Sequence, residues 1–294
     1  MSRINKTIVM GVAMATLAAC GSGSDGNAGN GAASAPAGGS VKTIKDGTLT
    51  IGTNLPFAPL GFYEADGKTM TGAEIDLMRA VAQQMGLKVD IQNVAWDGLI
   101  PAAKANRYDA VWASIGDYTE RRTQIDFVDY MSVRSAVTVR TEDAAKYKSE
   151  MDLCGQKAGA TKGASTVTTL QKFSDACVKA GKPAIEISQF PSTAEGLTAL
   201  RSKRIDAECM DGPVAVYKAT VDKSVFSIAL PAVGPNTLYG VGVGQQNKEL
   251  RDAIKVALQA LIDNGKYKEI LDKYGLASYA VTEATVNKGG SKAS

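Results

Sequence analysis

"WDGLIPAAKANRYDAVWASIGD" (residues 96–117) and "TAEGLTALRSKRIDAECMDG" (193–212) repeat one plan in two distant parts of the chain. Each runs acid-Gly-Leu, a short helix, a basic turn, then Arg-x-Asp-Ala and a strand. Leu99, Ile100 and Ala103 share a helix face in the first copy; Leu197, Ala199 and Leu200 do similar work in the second. Helix–turn–strand units can look alike by chance, but an echo of about twenty residues reads as duplication of a lobe plan.

Around the echo, strands and helices alternate. "TLTIGTN" reads as a strand, "GAEIDLMRAVAQQMG" as a helix ended by Gly86, and "KVDIQNV" as a strand. A linking strand "SAVTVRT" follows the first copy. Then come "QKAGATKG", a helix "STVTTLQKFSDACVKAG", the strand "AIEISQF" and the second copy. "LYGVGVG" returns as a strand, and "KELRDAIKVALQALIDNGKYKEILDKYG" as a long helical stretch with a turn near Gly265. Such alternation implies α/β lobes with largely parallel sheets. Ligands of open parallel sheets collect beyond the carboxyl ends of the strands. The strands ending at Ser114-Ile115-Gly116 and at Met210-Asp211 therefore deliver polar residues to comparable edges of one cleft.

The ends of the 294-residue chain read differently from its middle. Arg3 and Lys6 precede an uncharged apolar run too short for a membrane span, which suits a signal peptide over 1–19. Leu17-Ala18-Ala19-Cys20 resembles the bacterial lipoprotein box, which would make Cys20 the lipidated first residue of the mature chain; an ordinary signal with an incidental cysteine is the other reading. Residues 20–47 are mostly Gly, Ala, Ser and Asn, a flexible linker by composition. Residues 281–294 read as a loose tail.

Lys and Arg total 33 against 30 Asp and Glu, with no basic run, which argues against nucleic acid as a partner. Histidine is absent, so Ser-His-Asp and Cys-His nucleophile systems and histidine-ligated metals are excluded. Cys154, Cys177 and Cys209 are too widely spaced to suggest a metal site. In an exported chain two of them are expected to pair. Cys154 and Cys177, which bracket a segment of one lobe, are the favoured disulfide. No metal or cofactor is expected.

"LTIGTNLPFAPLGFYEADGKTMTGAEIDL", "WDGLIPAAKANRYDAVWASIGDYTERR", "QIDFVDY", "RIDAECMDGPVAVY" and "DNGKYKEILDKYG" occur in the order and spacing of a known family. From about Thr48 to Leu276 the chain resembles the bacterial extracellular solute-binding proteins, family 3, the polar amino-acid receptors of ABC importers. The resemblance implies a two-lobed periplasmic-binding-protein-like fold of type II. Two hinge strands, crossing near Val137–Thr141 and Leu230–Val233, would flank a cleft between the lobes. Lobe one would comprise 48–138 plus 232–280, and lobe two 139–231.

The resemblance also implies site residues. Arg121, aligned on Ser114 and on Asp126-Phe127, would grip the ligand α-carboxylate with its guanidinium fork, leaving Arg122 solvated. Asp211 would hold the α-ammonium with help from Ser114. Ser165, in the helix-opening turn "KGAST", would join Arg121 on the carboxylate; a plain helix N-cap is the other reading of Ser165. Phe57 would pack on the ligand side chain. Trp96 is weighed equally between cleft and core, and Trp112 is assigned to the core. Gly116 and Tyr118 stand where the family commonly has serine and threonine; Gly116 would offer only its N–H. Asn54 stands where binders of cationic amino acids often carry aspartate.

The function implied is an extracytoplasmic, monomeric, lipid-anchored receptor facing the periplasm or the cell exterior, which closes on a free amino acid and delivers it to a permease. Two alternatives stand beside it: a cyclohexadienyl- or arogenate-dehydratase-like enzyme, with Glu74 or Glu208 as an imaginable general acid, and a sensory ligand-binding component.

Overall fold

The computed structural model of the chain describes residues 41–291. The signal peptide, Cys20 and most of the linker expected from the sequence lie outside the described residues. In chain order the first half holds β1 (Thr48–Thr53), β2 (Phe62–Tyr63), β3 (Met70–Thr71), α1 (Ala73–Gln84), β4 (Lys88–Asn93), α2 (Leu99–Lys104), β5 (Ala110–Val111) and β6 (Ile125–Arg140). There follow β7 (Lys157–Thr161), α3 (Ser165–Lys179), β8 (Glu186–Phe190), α4 (Thr193–Arg201), β9 (Ala207–Asp211) and α5 (Gly212–Val221). The chain returns through β10 (Phe226–Gly244), α6 (Lys248–Asp263), α7 (Lys266–Lys273) and β11 (Ala280–Val286). The helix stops read from the sequence are real: Gly86 follows α1 at φ 70°, and Gly265 separates α6 from α7 at φ 81°, the left-handed conformation that glycine adopts without strain.

The main sheet runs β4-β1-β5-β10-β6-β9-β7-β8, with β11 also on β6. In lobe one β1 is parallel to β4 and β5; in lobe two β7 is parallel to β8 and β9. The parallel sheets are joined by β6 and β10, antiparallel to each other over nearly their whole length. Both strands start well before "SAVTVRT" and "LYGVGVG", the only parts of them legible as strands. Val128 and Met131 of β6 pair with β11, whereas Ser135–Val139 pair with β9. The handover therefore lies at Ser132–Arg134, facing the irregular register of β10 between Val233 and Thr237. Side chains tie the two segments: Asn236 Nδ2 donates to Ser132 Oγ at 2.6 Å, and the Arg134 guanidinium to the Gly234 carbonyl at 3.0 and 2.8 Å. The crossings expected near 137–141 and 230–233 fall where β6 is paired on both sides. Val137 pairs with Leu230 and Cys209 inside the lobe-two ladder, and the handover sits a few residues nearer lobe one.

The two copies of the echo build equivalent corners. Asp109 accepts from Thr50 N at 2.8 Å and Thr50 Oγ1 at 2.6 Å, stitching the turn to β1. Its counterpart Asp206 accepts from Lys157 N at 3.1 Å, stitching the second turn to β7. Each aspartate thus fastens a turn to the central strand of its own lobe. The Cys154–Cys177 disulfide forms as expected, with Cα atoms 5.5 Å apart, over a lobe-two core of Leu153, Leu170, Phe173 and Ile185; Cys209 is buried as a thiol.

Both ends of the fold reach further than composition implies. Ile44 N already donates to Asp109 Oδ1 at 2.8 Å, so the linker is anchored before residue 48. Residues 281–291 are not a loose tail: β11 pairs with β6, and the residues after it feed donors to carboxylates of lobe one. Thr285 Oγ1 donates to Asp129 at 2.7 Å, Asn287 Nδ2 to Asp126 at 3.0 Å and Gly289 N to Asp117 at 2.7 Å, while Asn287 Oδ1 accepts from Phe127 N at 2.8 Å. The segment has little apolar periodicity because polar partners hold it.

Asn287→Ala should therefore lower stability by about 1–3 kcal/mol, the range for stranding buried hydrogen-bonding groups. Thermal or urea unfolding checks this; an unchanged midpoint would mean that the segment contributes nothing to the fold.

Candidate functional site

A cleft of about 570 Å3, its open mouth included, lies between the lobes. Lobe one contributes Asn54, Phe57, Trp96 and Ser114; lobe two contributes Thr161, Thr166, Thr193, Met210 and Asp211. Asp211 ends β9, while Ser114, at the matching position of the echo, lies three residues beyond β5 and not at a strand end as expected; the two face one space. Of the residues singled out in the sequence, Asn54, Phe57, Trp96, Ser114 and Asp211 line it directly, and Trp112 is buried in the core as expected, its ring 5.0 Å from that of Tyr130.

Arg121 sits behind this lining. Its guanidinium lies 5.6 Å from the Trp96 ring centre and 5.0 Å from that of Tyr118, and donates to the Gly116 carbonyl at 3.0 Å. Among the described residues no carboxylate pairs with it. Burial lowers its pKa, and the field of Asp211 is among the influences that counter this. A half-buried guanidinium without a carboxylate can accommodate an anion.

Asp211 presents the opposite charge. It stands at the N-cap of α5, yet its side chain makes no capping bond there, so it is not the plain turn residue that its position before Gly-Pro would suggest. Burial pushes its carboxyl up to about 6, opposed by the Tyr239 hydroxyl and by the charge of Arg121. Acid and base feel each other without forming an ion pair, and a zwitterion placed between them satisfies both.

Arg122 is not solvated. It donates from Nε to the fully buried Asp117 at 2.6 Å, and from its two NH groups to the carbonyls of Asn287 and Gly289. The neighbouring arginines differ: Arg122 fastens the C-terminal segment, and Arg121 has no carboxylate partner among the described residues.

Ser165 and Gly116 lie off the lining. The N-cap of α3 is Ala164, which makes no side-chain cap, so Ser165 is the first helical residue and not the cap. The Ser165 hydroxyl bears on that of Tyr118, which also meets Thr237 Oγ1 at 3.3 Å. The next residue, Thr166, lines the cleft, and its buried hydroxyl has no protein partner. With the uncapped N–H groups of α3 it makes an anion-favouring wall that sequence reasoning assigned to Ser165. The turn "KGAST" holds both residues, and the phase of α3 decides which one faces the cleft.

The departures at Gly116 and Tyr118 have one steric cause. A Cβ on Gly116 would fall 2.5 Å from the Tyr118 ring. The tyrosine fills the space a serine would need, and its face flanks Arg121.

Residues 49–277 match the family described as bacterial extracellular solute-binding proteins, family 3. The chain belongs to this family. The L-cystine-binding protein TcyA of Bacillus subtilis (strain 168) is 27% identical over 91% of this chain and 95% of its own length. The arginine-binding protein ArgT of Corynebacterium glutamicum is 29% identical over 82% of this chain and 79% of its own. Among solved structures, an ancestral arginine-binding protein bound to arginine superposes with a TM-score of 0.68 at 31% identity, over 78% of this chain and 98% of that one. The ancestral amino acid-binding protein AncCDT-1, a precursor of cyclohexadienyl dehydratase, superposes with a TM-score of 0.69 at 28% identity, over 78% and 95%. The two-lobed solute-binding fold of the family is the one described above.

The Gly116–Tyr118 pairing is testable by a double-mutant cycle. Gly116→Ser alone should destabilise, Tyr118→Thr alone should leave a void, and the pair should recover a coupling of about 0.5–3 kcal/mol. Strictly additive unfolding energies would show that the two positions are independent.

Proposed function

We propose that this solute-binding protein is the amino-acid receptor of an ABC importer, capturing one free amino acid between its lobes and presenting the closed form to a membrane permease. The observation that carries this reading is the opposed pair of uncommitted charges, Arg121 and Asp211, on either side of one cleft. The guanidinium takes the α-carboxylate with the α3 amino end and Thr166; Asp211 takes the α-ammonium with Ser114. Contacts from both lobes stabilise the closed state, and the segments at Ser132–Arg134 and Gly234–Thr237 flex.

The side-chain compartment is walled by Pro56, Phe57, Trp96 and Met210, with the hydroxyls of Thr161 and Thr193 hydrogen-bonded to each other. Asn54 spends its amide on the Val94 carbonyl at 2.8 Å. Once Asp211 is committed to the ammonium, no second carboxylate among the described lining residues awaits a cationic side chain. An uncharged side chain suits this wall better than that of arginine, although several relatives are arginine-binding proteins.

We read the protein as a non-enzymatic monomer, exported by the signal over 1–19 and held to the membrane by lipid on Cys20. Of the carboxylates that a dehydratase reading would need, Glu74 is engaged by three donors, and Glu208 is enclosed in lobe two against Gly159 and Gly196.

A thermal-shift panel of the common L-amino acids and L-cystine tests the reading, because a ligand that binds only the native state raises the midpoint. At least one member should raise Tm while its decarboxylated amine should not. Arg121→Ala should abolish the shift. Arg122→Ala should lower the unliganded Tm yet retain the shift, since its bonds serve the fold. No shift across the whole panel would end the amino-acid assignment.

A further inference from the structure

Ser114 lines the cleft with a backbone conformation that serine seldom adopts, φ 53°. What holds it there is Glu74, the second residue of α1, whose side chain is only 2% exposed. Glu74 Oε1 accepts from Ser114 N at 2.9 Å, from Ser114 Oγ at 2.7 Å and from the Tyr130 hydroxyl. Tyr130 is itself immobilised by the Trp112 ring packed against it. Three donors from two segments thus converge on one oxygen.

The direction of these bonds has a chemical consequence. A serine hydroxyl has one proton to give and two lone pairs to offer. With its proton committed to Glu74, Ser114 Oγ can only accept toward the cleft. An acceptor there suits an ammonium and rejects a carboxylate.

We infer that Glu74 is a positioning residue for ligand recognition: it fixes the backbone of Ser114 and turns its hydroxyl into an obligate acceptor for the ligand's ammonium. The inference rests on the amino-acid reading given above, and it assigns a task to a side chain that does not line the cleft.

Charge adds a second, separable contribution. Burial is the main influence on Glu74 and pushes it up to about 7, against the three donors; the charge of Asp211 adds to the rise. The titratable groups facing it are Tyr130 on β6 and Asp211 at the end of β9. Asp76, on the same helix, is occupied instead by Lys273 and Tyr274. A bound ammonium favours the ionised form of both Glu74 and Asp211, lowering their pKa values in the complex. Binding therefore releases protons, and affinity rises with pH through about 6 for Asp211 and about 7 for Glu74.

The test uses the full chain and, as probe, the member of the L-amino-acid and L-cystine panel that gives the largest thermal shift, titrated calorimetrically from about pH 5.5 to about pH 8. Glu74→Ala should weaken binding by about 10- to 100-fold, the loss of a charge-assisted hydrogen-bonded contact. Glu74→Gln, which keeps the acceptor oxygen but not the charge, should recover most of that loss at the acid end. It should also lack the upper part of the native gain in affinity, retaining only the part due to Asp211. If Glu74→Ala binds like the native chain, or Glu74→Gln binds as weakly as Glu74→Ala at the acid end, the inference fails while the amino-acid reading stands. Should the alanine variant not fold, a glutamine variant with an unaltered pH profile would overturn it alone. If no panel member binds the native chain, the amino-acid reading falls and the inference with it.

Discussion

The ladder between β6 and β10 is the constraint on which the rest of this molecule depends. Sixteen residues of β6 run antiparallel to the nineteen of β10, a span of about 50 Å for β6 at the usual strand rise. One end of the pair receives the parallel strands of lobe one and the other end those of lobe two. At Ser132–Arg134, opposite the irregular register of β10, neither β11 nor β9 pairs with β6. Bending is cheapest there. The lobes meet along this ladder, and they also share one hydrophobic cluster, in which Val128 and Met131 lie with Met210 and Val214.

On this frame the fold holds apart two charges that ordinary folding would bring together. Arg121 is kept from Asp211 by being sandwiched between Trp96 and Tyr118 and tied to the Gly116 carbonyl. Asp211 is kept from Arg121 by its place at the end of β9 in the other lobe. Burying either charge alone is unfavourable, and the cost is met only when a ligand supplies both opposite charges at once. On the proposed reading this drives closure and favours a zwitterion over an amine or a simple acid. The adjacent Arg122 illustrates the contrast: its charge is neutralised by Asp117 and by carbonyls of the C-terminal segment, and it has nothing left to offer a ligand.

The fold and much of the cleft lining, Asn54, Phe57, Trp96, Ser114 and Asp211, were legible in the sequence. Helix periodicity, Gly86 and Gly265, and the repeated Arg-x-Asp-Ala corner all speak within a few residues of themselves. Arg121 and Asp211 were singled out through the family resemblance; Asp211 lines the cleft and Arg121 sits behind its lining. What escaped reading depends on contacts between distant segments. The sixteen-residue length of β6 was hidden because its first half carries Asp126 and Asp129, which look like loop residues until the C-terminal segment supplies their donors. The choice between Ser165 and Thr166 depends on helix phase, which one residue's shift in the N-cap reverses. Glu74 read as a lone acid in a helix start, because its partners lie forty and fifty-six residues away.

The two copies of the echo have solved the same problem with different atoms. At the matching positions, lobe two ends its strand in Asp211 and supplies a carboxylate directly. Lobe one has Ser114 there, which has no charge, and borrows one from α1 through Glu74. The arrangement is asymmetric for a physical reason. Two carboxylates lining the same narrow space would repel and hold each other protonated. Withdrawing one of them a bond further back, and letting a hydroxyl relay its preference, keeps the acceptor geometry while softening that repulsion. The echo offers two matching positions, and only the one in lobe two carries its acid at the surface of the cleft.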